Sequence, residues 1–325
     1  MLKVALAQIN TACGDVEGNE KKISMFLGSD KAQNADLVIF PELSLVGYPP
    51  KDHLTDTDAV TRCEEALARL MKKHHDQSFV VGSVRSRQGQ LHNVALWVDE
   101  GKIIAEYEKA LLPSYDVFYE KRFFSPRKKE FSPVMWKNYK VALTICEDFW
   151  FRDGQSGAMY DFDPVTSQLE KGADFLINLS ASPFAQGKPT YRRELAAYYA
   201  RKYQTPFLFC NLIGGNDDLI FDGQSFAMDA RGMICAQALA FQEDLLHVDL
   251  PMLHAKSMEE SSDDLEQKID AICLGIKDFV RKNKQRKVWV ALSGGIDSAC
   301  VAQLACRALG NLECSLGVYA LRIQS

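Results

Sequence analysis

No stretch of this 325-residue sequence approaches the roughly 20 consecutive apolar residues that a membrane-crossing helix needs. The apolar opening LKVALAQI is interrupted by Gln8 and Asn10 before a secretory core could form, so neither a span nor a leader is expected. Positive charge is also in short supply: 38 Lys and Arg stand against 43 Asp and Glu, a net of -5. Nucleic acid and anionic membranes both demand a positive surface, so neither is expected as a partner. The one basic cluster, KRFFSPRKK at 121–129, reads as a solvated face. Nine cysteines are present, an odd number with no CxxC pair. That pattern excludes a disulfide scaffold and a tetrathiolate zinc site, and it fits a reducing cytoplasm. His74, His75 and His92 lack metal-ligand spacing to acidic or thiol residues and read as surface or turn positions.

The sequence does have enough apolar residues, 47%, to bury a large core, and its 25% charged residues are ordinary for a globular enzyme. Its length suggests two domains, or one large layered domain with an extension. Strands are predicted at 2–9, 37–40, 79–84, 93–98, 102–107, 141–145, 175–178 and 206–211. Helices are predicted after Gly14, with Asn19 as a cap and Gly28 near the close, and at 61–75, 162–171 and 191–204. Asp99-Glu100-Gly101 reads as a hairpin turn. These repeated β and α elements predict an α/β sandwich: two central sheets covered by helices.

Polar residues recur at predicted strand exits, where α/β folds build their sites: Glu42 after Phe40-Pro41, Cys146 at the end of VALTI, and Ser182 after the 175–178 strand. Lys109 follows another strand and precedes Leu111-Leu112-Pro113. The aromatic loop PSYDVFYEKRFF, with Tyr115 and Glu120, could wall a pocket, and the Gly47-to-Pro50 loop could bring Tyr48 to its rim. A cysteine attacks only as thiolate, so it needs a nearby cation or base.

In the order Glu42, Lys109, Cys146, with these flanks, residues 1 to about 250 resemble the nitrilase, or carbon-nitrogen hydrolase, superfamily. The resemblance implies an αββα sandwich and a Glu-Lys-Cys triad in which Glu42 is general acid and base, Lys109 steadies the thiolate and oxyanion, and Cys146 is the nucleophile. It further implies an orienting role for Glu120 and needs no cofactor for hydrolysis. A free-standing amidase on a small amide is one reading; a degenerate nitrilase fold kept as an assembly module is another.

A second signal follows. LHAKSMEESSDD reads as a linker, placed at 252–264, and a helix is predicted over 265–282. The strand 288–292 then runs into Ser293-Gly294-Gly295-Ile296-Asp297-Ser298 and a helix. A glycine-rich strand-to-helix turn presents amides to an anion. No Gly-Lys-Ser/Thr follows, so this is not a Walker loop; it resembles the PP-loop of ATP pyrophosphatases. By that resemblance residues 293–298 hold pyrophosphate and Asp297 helps bind Mg2+. A hydrolase domain at 1–251 before a PP-loop fragment at 265–325 is similar to the glutamine-dependent NAD synthetase family. That likeness implies glutamine, ATP and deamido-NAD+ as substrates, Tyr115, Ser182 and Lys188 as glutamine-binding residues with Tyr48 and Trp150 nearby, and a homo-oligomer. The sequence ends at Ser325, soon after the motif, so this polypeptide is expected to retain at most the glutaminase chemistry.

Overall fold

A computed structural model of the chain describes residues 1–55, 58–127, 131–151, 160–251 and 264–310, together with the backbone of 314–318. Among the described residues, fourteen strands lie within residues 1–251: β1 (Leu2–Gln8), β2 (Leu37–Ile39), β3 (Phe79–Arg87), β4 (Gln90–Asp99), β5 (Lys102–Glu108), β6 (Val134–Trp136), β7 (Tyr139–Ile145), β8 (Phe175–Ser180), β9 (Phe207–Asn211), β10 (Ile213–Asn216), β11 (Leu219–Asp222), β12 (Phe226–Met228), β13 (Ile234–Gln237) and β14 (Asp244–Leu250). Five described helices accompany them: α1 (Val16–Leu27), α2 (Asp30–Gln33), α3 (Asp58–Lys73), α4 (Pro164–Leu169) and α5 (Lys188–Tyr203). From residue 264 come α6 (Asp264–Lys282), whose first residue falls within the predicted linker, β15 (Val288–Leu292), α7 (Ile296–Leu309) and β16 (Cys314–Val318).

Two six-stranded sheets form, ordered β14-β1-β2-β3-β4-β5 and β13-β12-β9-β8-β7-β6. Alternation along each strand decides what packs where. Val4 and Leu6 of β1 face Leu143, Ile145, Ile177 and Leu208 of the opposite sheet, with Trp97 and Trp136 filling the space between them at 5.2 Å. The intervening Ala5 and Ala7 point outward onto Ile23 and Leu27 of α1 and Leu67 and Leu70 of α3. On the far side Ala142, Leu176 and Phe209 pack under Val165 of α4 and Leu195 and Tyr199 of α5. The result is the four-layer αββα sandwich. Both faces of each sheet are covered, which is why the parallel strands β7 and β8 read as unbroken apolar runs rather than as alternation.

Several local expectations change. Asp15, not Asn19, caps α1, accepting from the Gly18 amide. Asn19 lies inside the helix and ties down the loops, bonding Ala12 and the Leu45 carbonyl. His74 and His92 are buried rather than at the surface, and His74 sits between Ser24 and Gln77. The β4–β5 turn is as expected: Glu100 and Gly101 both take positive φ, 45° and 69°, the conformation a two-residue hairpin requires. Of the basic cluster, Lys121 and Arg122 are exposed, while Lys128 and Lys129 lie outside the described residues. So do residues 252–263 of the predicted linker. No described helix is long and apolar enough to cross a membrane.

From residue 264 on, β15 pairs in parallel with β16, and α7 packs on α6. Phe279, Trp289, Ile296 and Val301 of this region are solvent-exposed. Helix α6 rests on the β10–β11 hairpin.

Candidate active site

The site lies at the carboxyl ends of β2, β5, β7 and β8, where Glu42, Lys109, Cys146 and Ser182 leave their strands. Glu42 is wholly buried, and three donors hold its carboxylate. Its Oε1 accepts from Lys109 Nζ at 2.6 Å and Asn93 Nδ2 at 2.7 Å, and its Oε2 accepts from the Ala181 amide at 3.0 Å. Lys109 Nζ also donates to Glu120 Oε1 at 2.8 Å, and the Tyr48 hydroxyl donates to the same oxygen at 2.8 Å. One ammonium is thus clamped between two buried carboxylates. Burial opposes its charge, yet Glu120 and Glu42 hold its proton well above the ordinary lysine range. Burial, reinforced by Glu42 and opposed by Lys109, pushes the Glu120 carboxyl up to about 7.

Cys146 opens a short 3-10 turn, Cys146–Phe149, and is held at φ +42°. That left-handed conformation is costly for a residue with a Cβ, and such strain collects at functional sites. The peg that fixes the turn is Asp148. Its carboxylate accepts from the amides of Ile145, Ala110 and Leu111 and from the Tyr107 hydroxyl, so the Cys146 turn and the segment after Lys109 are tied to one buried group. The thiol itself is pushed well above its usual range, by burial first and by Glu42 second, outweighing Lys109. Cys146 therefore rests as a thiol, and its attack calls for a base, the part that the family resemblance gives to Glu42.

Gly82 of β3 makes room for the acid. A Cβ there would stand 2.2 Å from the Leu43 nitrogen, 2.4 Å from the Pro41 oxygen and 2.7 Å from the Glu42 carbonyl carbon. Only a glycine lets β3 pass beneath the Glu42 backbone.

The remaining expected residues surround this group. Lys188, at the start of α5, lies over the rings of Trp150 and Phe118, at 5.4 Å and 5.7 Å from their centroids. Burial and then Arg192 lower its pKa. Among the described residues the buried Ser182 hydroxyl has no partner, nor does Glu120 Oε2. Tyr115 donates to both oxygens of Glu147 at 3.0 Å, joined by Tyr160 at 3.2 Å. Burial lifts the Glu147 carboxyl to about 7, against Lys109. Glu147, Asn93, Asp148 and the Ala181 amide are what sequence reading missed. Tyr160, too, gave no signal there.

Residues 293–298 stand apart from this group. Gly294 has φ +84°, Gly295 is the N-cap of α7, and Ser298 Oγ accepts from the Ser293 amide at 3.2 Å and donates to the Gly295 carbonyl at 3.0 Å. The loop is open to solvent, with nothing within 4 Å of a Cβ built on Gly294.

Known proteins bear on both regions. The carbon-nitrogen hydrolase model matches residues 3–259 and the NAD synthase model residues 268–322. A glutamine-dependent NAD(+) synthetase of Synechocystis sp. is 39% identical over 98% of this chain and 59% of its own length; that of Thermotoga maritima is 33% identical over 95% and 58%. The chain therefore spans just under three-fifths of the curated relatives it matches. The solved glutamine-dependent NAD+ synthetase of Acinetobacter baumannii, in complex with ADP, superimposes with a TM-score of 0.87 at 30% identity, over 98% of this chain and 59% of that one. An amidase from Nesterenkonia sp. AN1 shares the fold, at TM-score 0.66 and 22% identity, over 77% of this chain and 94% of its own. With the carbon-nitrogen hydrolase model spanning residues 3–259, most of its length, the chain belongs to the carbon-nitrogen hydrolase family.

Proposed function

We propose that this chain carries the glutamine-hydrolysing half of a glutamine-dependent NAD synthetase, over residues 1–251, and the opening of the ATP-using half from 265. The observation that carries the first part is the buried Glu42–Lys109–Glu120 clamp beside a strained, protonated Cys146. Glu42 takes the thiol proton as sulfur attacks the side-chain amide carbon. Lys109 and the Glu147 backbone amide hold the developing oxyanion. Glu42 returns the proton to the leaving nitrogen, ammonia departs, and a thioester to Cys146 remains. Glu42 then activates water, which cleaves the thioester to glutamate and the free thiol. Glu120 orients Lys109 throughout.

Glutamine differs from a simple amide by its α-ammonium and α-carboxylate. Glu147, steadied by Tyr115 and Tyr160, suits the first; Lys188 and the Ser182 hydroxyl, which has no partner among the described residues, suit the second, with Trp150 and Tyr48 as walls. Ammonia release from glutamine, measured beside propionamide and butyronitrile, tests the reading. Glutamine is expected to lead by kcat/KM, and a preference for the plain amide would instead favour an amidase.

Glu147 gives this reading a pH signature. An exposed glutamate titrates near 4.5 and this one near 7, so the folded chain holds a proton that the unfolded chain releases. Its contribution to stability is full below about 4.5 and lost as pH rises through about 7. Binding an ammonium needs the ionised form, so kcat/KM for glutamine is expected to climb through the same region. Glu147→Gln is expected to flatten that climb and raise KM about 10- to 100-fold, the worth of a charge-assisted hydrogen bond. An unchanged pH profile in the variant would remove Glu147 from the pocket. Gly82→Ala, which must displace the Glu42 backbone, is expected to cost about 100-fold in kcat. A wild-type rate in that variant would show that Glu42 tolerates displacement.

In the second half, the Ser293–Ser298 loop would hold the pyrophosphate of ATP, which activates the carboxylate of deamido-NAD+ for displacement by ammonia. Among the described residues no cluster of three or more acidic, His or Cys side chains could cage a metal. Asp297 alone suits Mg2+, which keeps several waters and is shared between one or two carboxylates and the phosphates it accompanies. A cytoplasmic setting and a homo-oligomeric assembly belong to the same proposal.

A further inference from the structure

The last residue of α6 is wired to the hydrolase site. Lys282 spends its donors on the hydrolase domain: its Nζ reaches the Thr11 carbonyl at 2.8 Å, the Gly215 carbonyl at 2.9 Å and Asn216 Oδ1 at 2.8 Å. Asn216 is buried, and its Nδ2 donates to the Tyr48 carbonyl at 3.1 Å and to the Thr11 carbonyl at 3.2 Å. Tyr48 in turn gives its hydroxyl to Glu120, which seats Lys109. Four hydrogen bonds therefore lead from Lys282, which lies within the NAD synthase match at 268–322, to the ammonium of the proposed triad.

The seat under α6 is built for this contact. Asp278 Oδ2, 3.2 Å from Lys282 Nζ, accepts from Asn10 Nδ2 and the Gly215 amide, both at 2.7 Å. Gly214 has φ +117°, and a Cβ on it would fall 2.2 Å from Asn10 Oδ1 and 2.7 Å from Asp278 Oδ2. Gly215 would meet the Cα of Gly275 on the helix at 3.2 Å, so glycines on both sides let hairpin and helix backbones touch. Asn216 is thereby pinned from the helix side while its amide grips the Tyr48 backbone.

We propose that Lys282 is a positioning residue for amide hydrolysis: through Asn216 and the Tyr48 carbonyl it sets the Tyr48 hydroxyl on Glu120, and so fixes Lys109. This rests on the hydrolase reading above. A helix anchor with no such role would alter stability and leave the chemistry alone, and contiguity by itself does not distinguish the two.

A double-mutant cycle does. In the full chain, Lys282→Met and Tyr48→Phe are each expected to lower kcat for glutamine hydrolysis about tenfold, the cost of a loosened catalytic contact, with KM little changed. The double variant is expected to be no slower than Tyr48→Phe alone. Multiplying effects, or wild-type kcat in Lys282→Met, would overturn the proposal. Asn216→Asp gives a second route should Lys282→Met fold poorly. It keeps an acceptor for the ammonium but sets an oxygen against the Tyr48 carbonyl, so the same kcat loss is expected, and a wild-type kcat would again overturn the proposal. Should the wild-type chain release no ammonia from glutamine, the hydrolase reading itself is at fault. The wiring is then read from the pH midpoint of Cys146 alkylation by iodoacetamide, followed by peptide mass spectrometry. That midpoint is expected to move equally in Lys282→Met, Tyr48→Phe and the double variant; independent shifts would refute the connection.

Discussion

Cys146→Ala is expected to reduce glutamine hydrolysis at least about 10⁴-fold, since no other group in the pocket can form the thioester and residual rates after loss of a nucleophile are of this order. Its thermal midpoint should barely move. Among the described residues the thiol makes no hydrogen bond that fixes the turn; the Ile145 amide and the Asp148 carboxylate do that, and they stay. A variant that keeps a tenth of the activity would mean that hydrolysis proceeds by direct attack of water, with Cys146 as lining. A variant that unfolds would mean that the thiol is structural after all.

Lys109→Met should be nearly as damaging, for a reason that reaches beyond catalysis. The ammonium is an oxyanion donor, and losing one such donor costs roughly 10³-fold in kcat. It is also the cation that two buried carboxylates share. Removing one partner from a buried ion pair typically costs about 3–5 kcal/mol. The deficit should shrink as pH falls, because protonating Glu120, whose carboxyl burial has already pushed up to about 7, relieves part of the uncompensated charge, so urea unfolding at pH 8 and pH 5 separates this origin from simple loss of packing. An equal deficit at both pH values would argue against it. Adding Glu42→Gln and Glu120→Gln to Lys109→Met should return much of the stability and none of the activity.

The parts of this site that were legible in the sequence are those fixed by strand exits. Val141–Ile145 had to be a buried strand, and a cysteine at its end had to face the sheet's carboxyl edge. Glu42, Lys109 and Ser182 follow by the same logic, and the family resemblance supplied the order. What stayed hidden is held by partners far along the chain or by backbone atoms. Asn93 and the Ala181 amide reach Glu42 across 51 and 139 residues, and an amide donor carries no side-chain signature. Two acids follow the cysteine in the sequence, and nothing in that order tells that Asp148 organises the loops while its neighbour Glu147 faces the tyrosines. Asn19 had the right chemistry for a cap, but Asp15, four residues earlier, held the position first. Lys282 was legible only as the end of a helix. Its role depends on Gly214, Gly215 and Gly275, whose missing side chains let that helix lie against the hairpin.

The central claim is that Cys146, served by Glu42 and Lys109, attacks a glutamine side chain. Incubating the full chain with a glutamine-derived chloromethyl ketone and mapping the adduct by peptide mass spectrometry tests it most directly. The account predicts one adduct per chain, on Cys146 alone, prevented by excess glutamine and greatly slowed in Glu42→Gln. Modification spread over Cys13, Cys235 or Cys300, with Cys146 untouched, would contradict it.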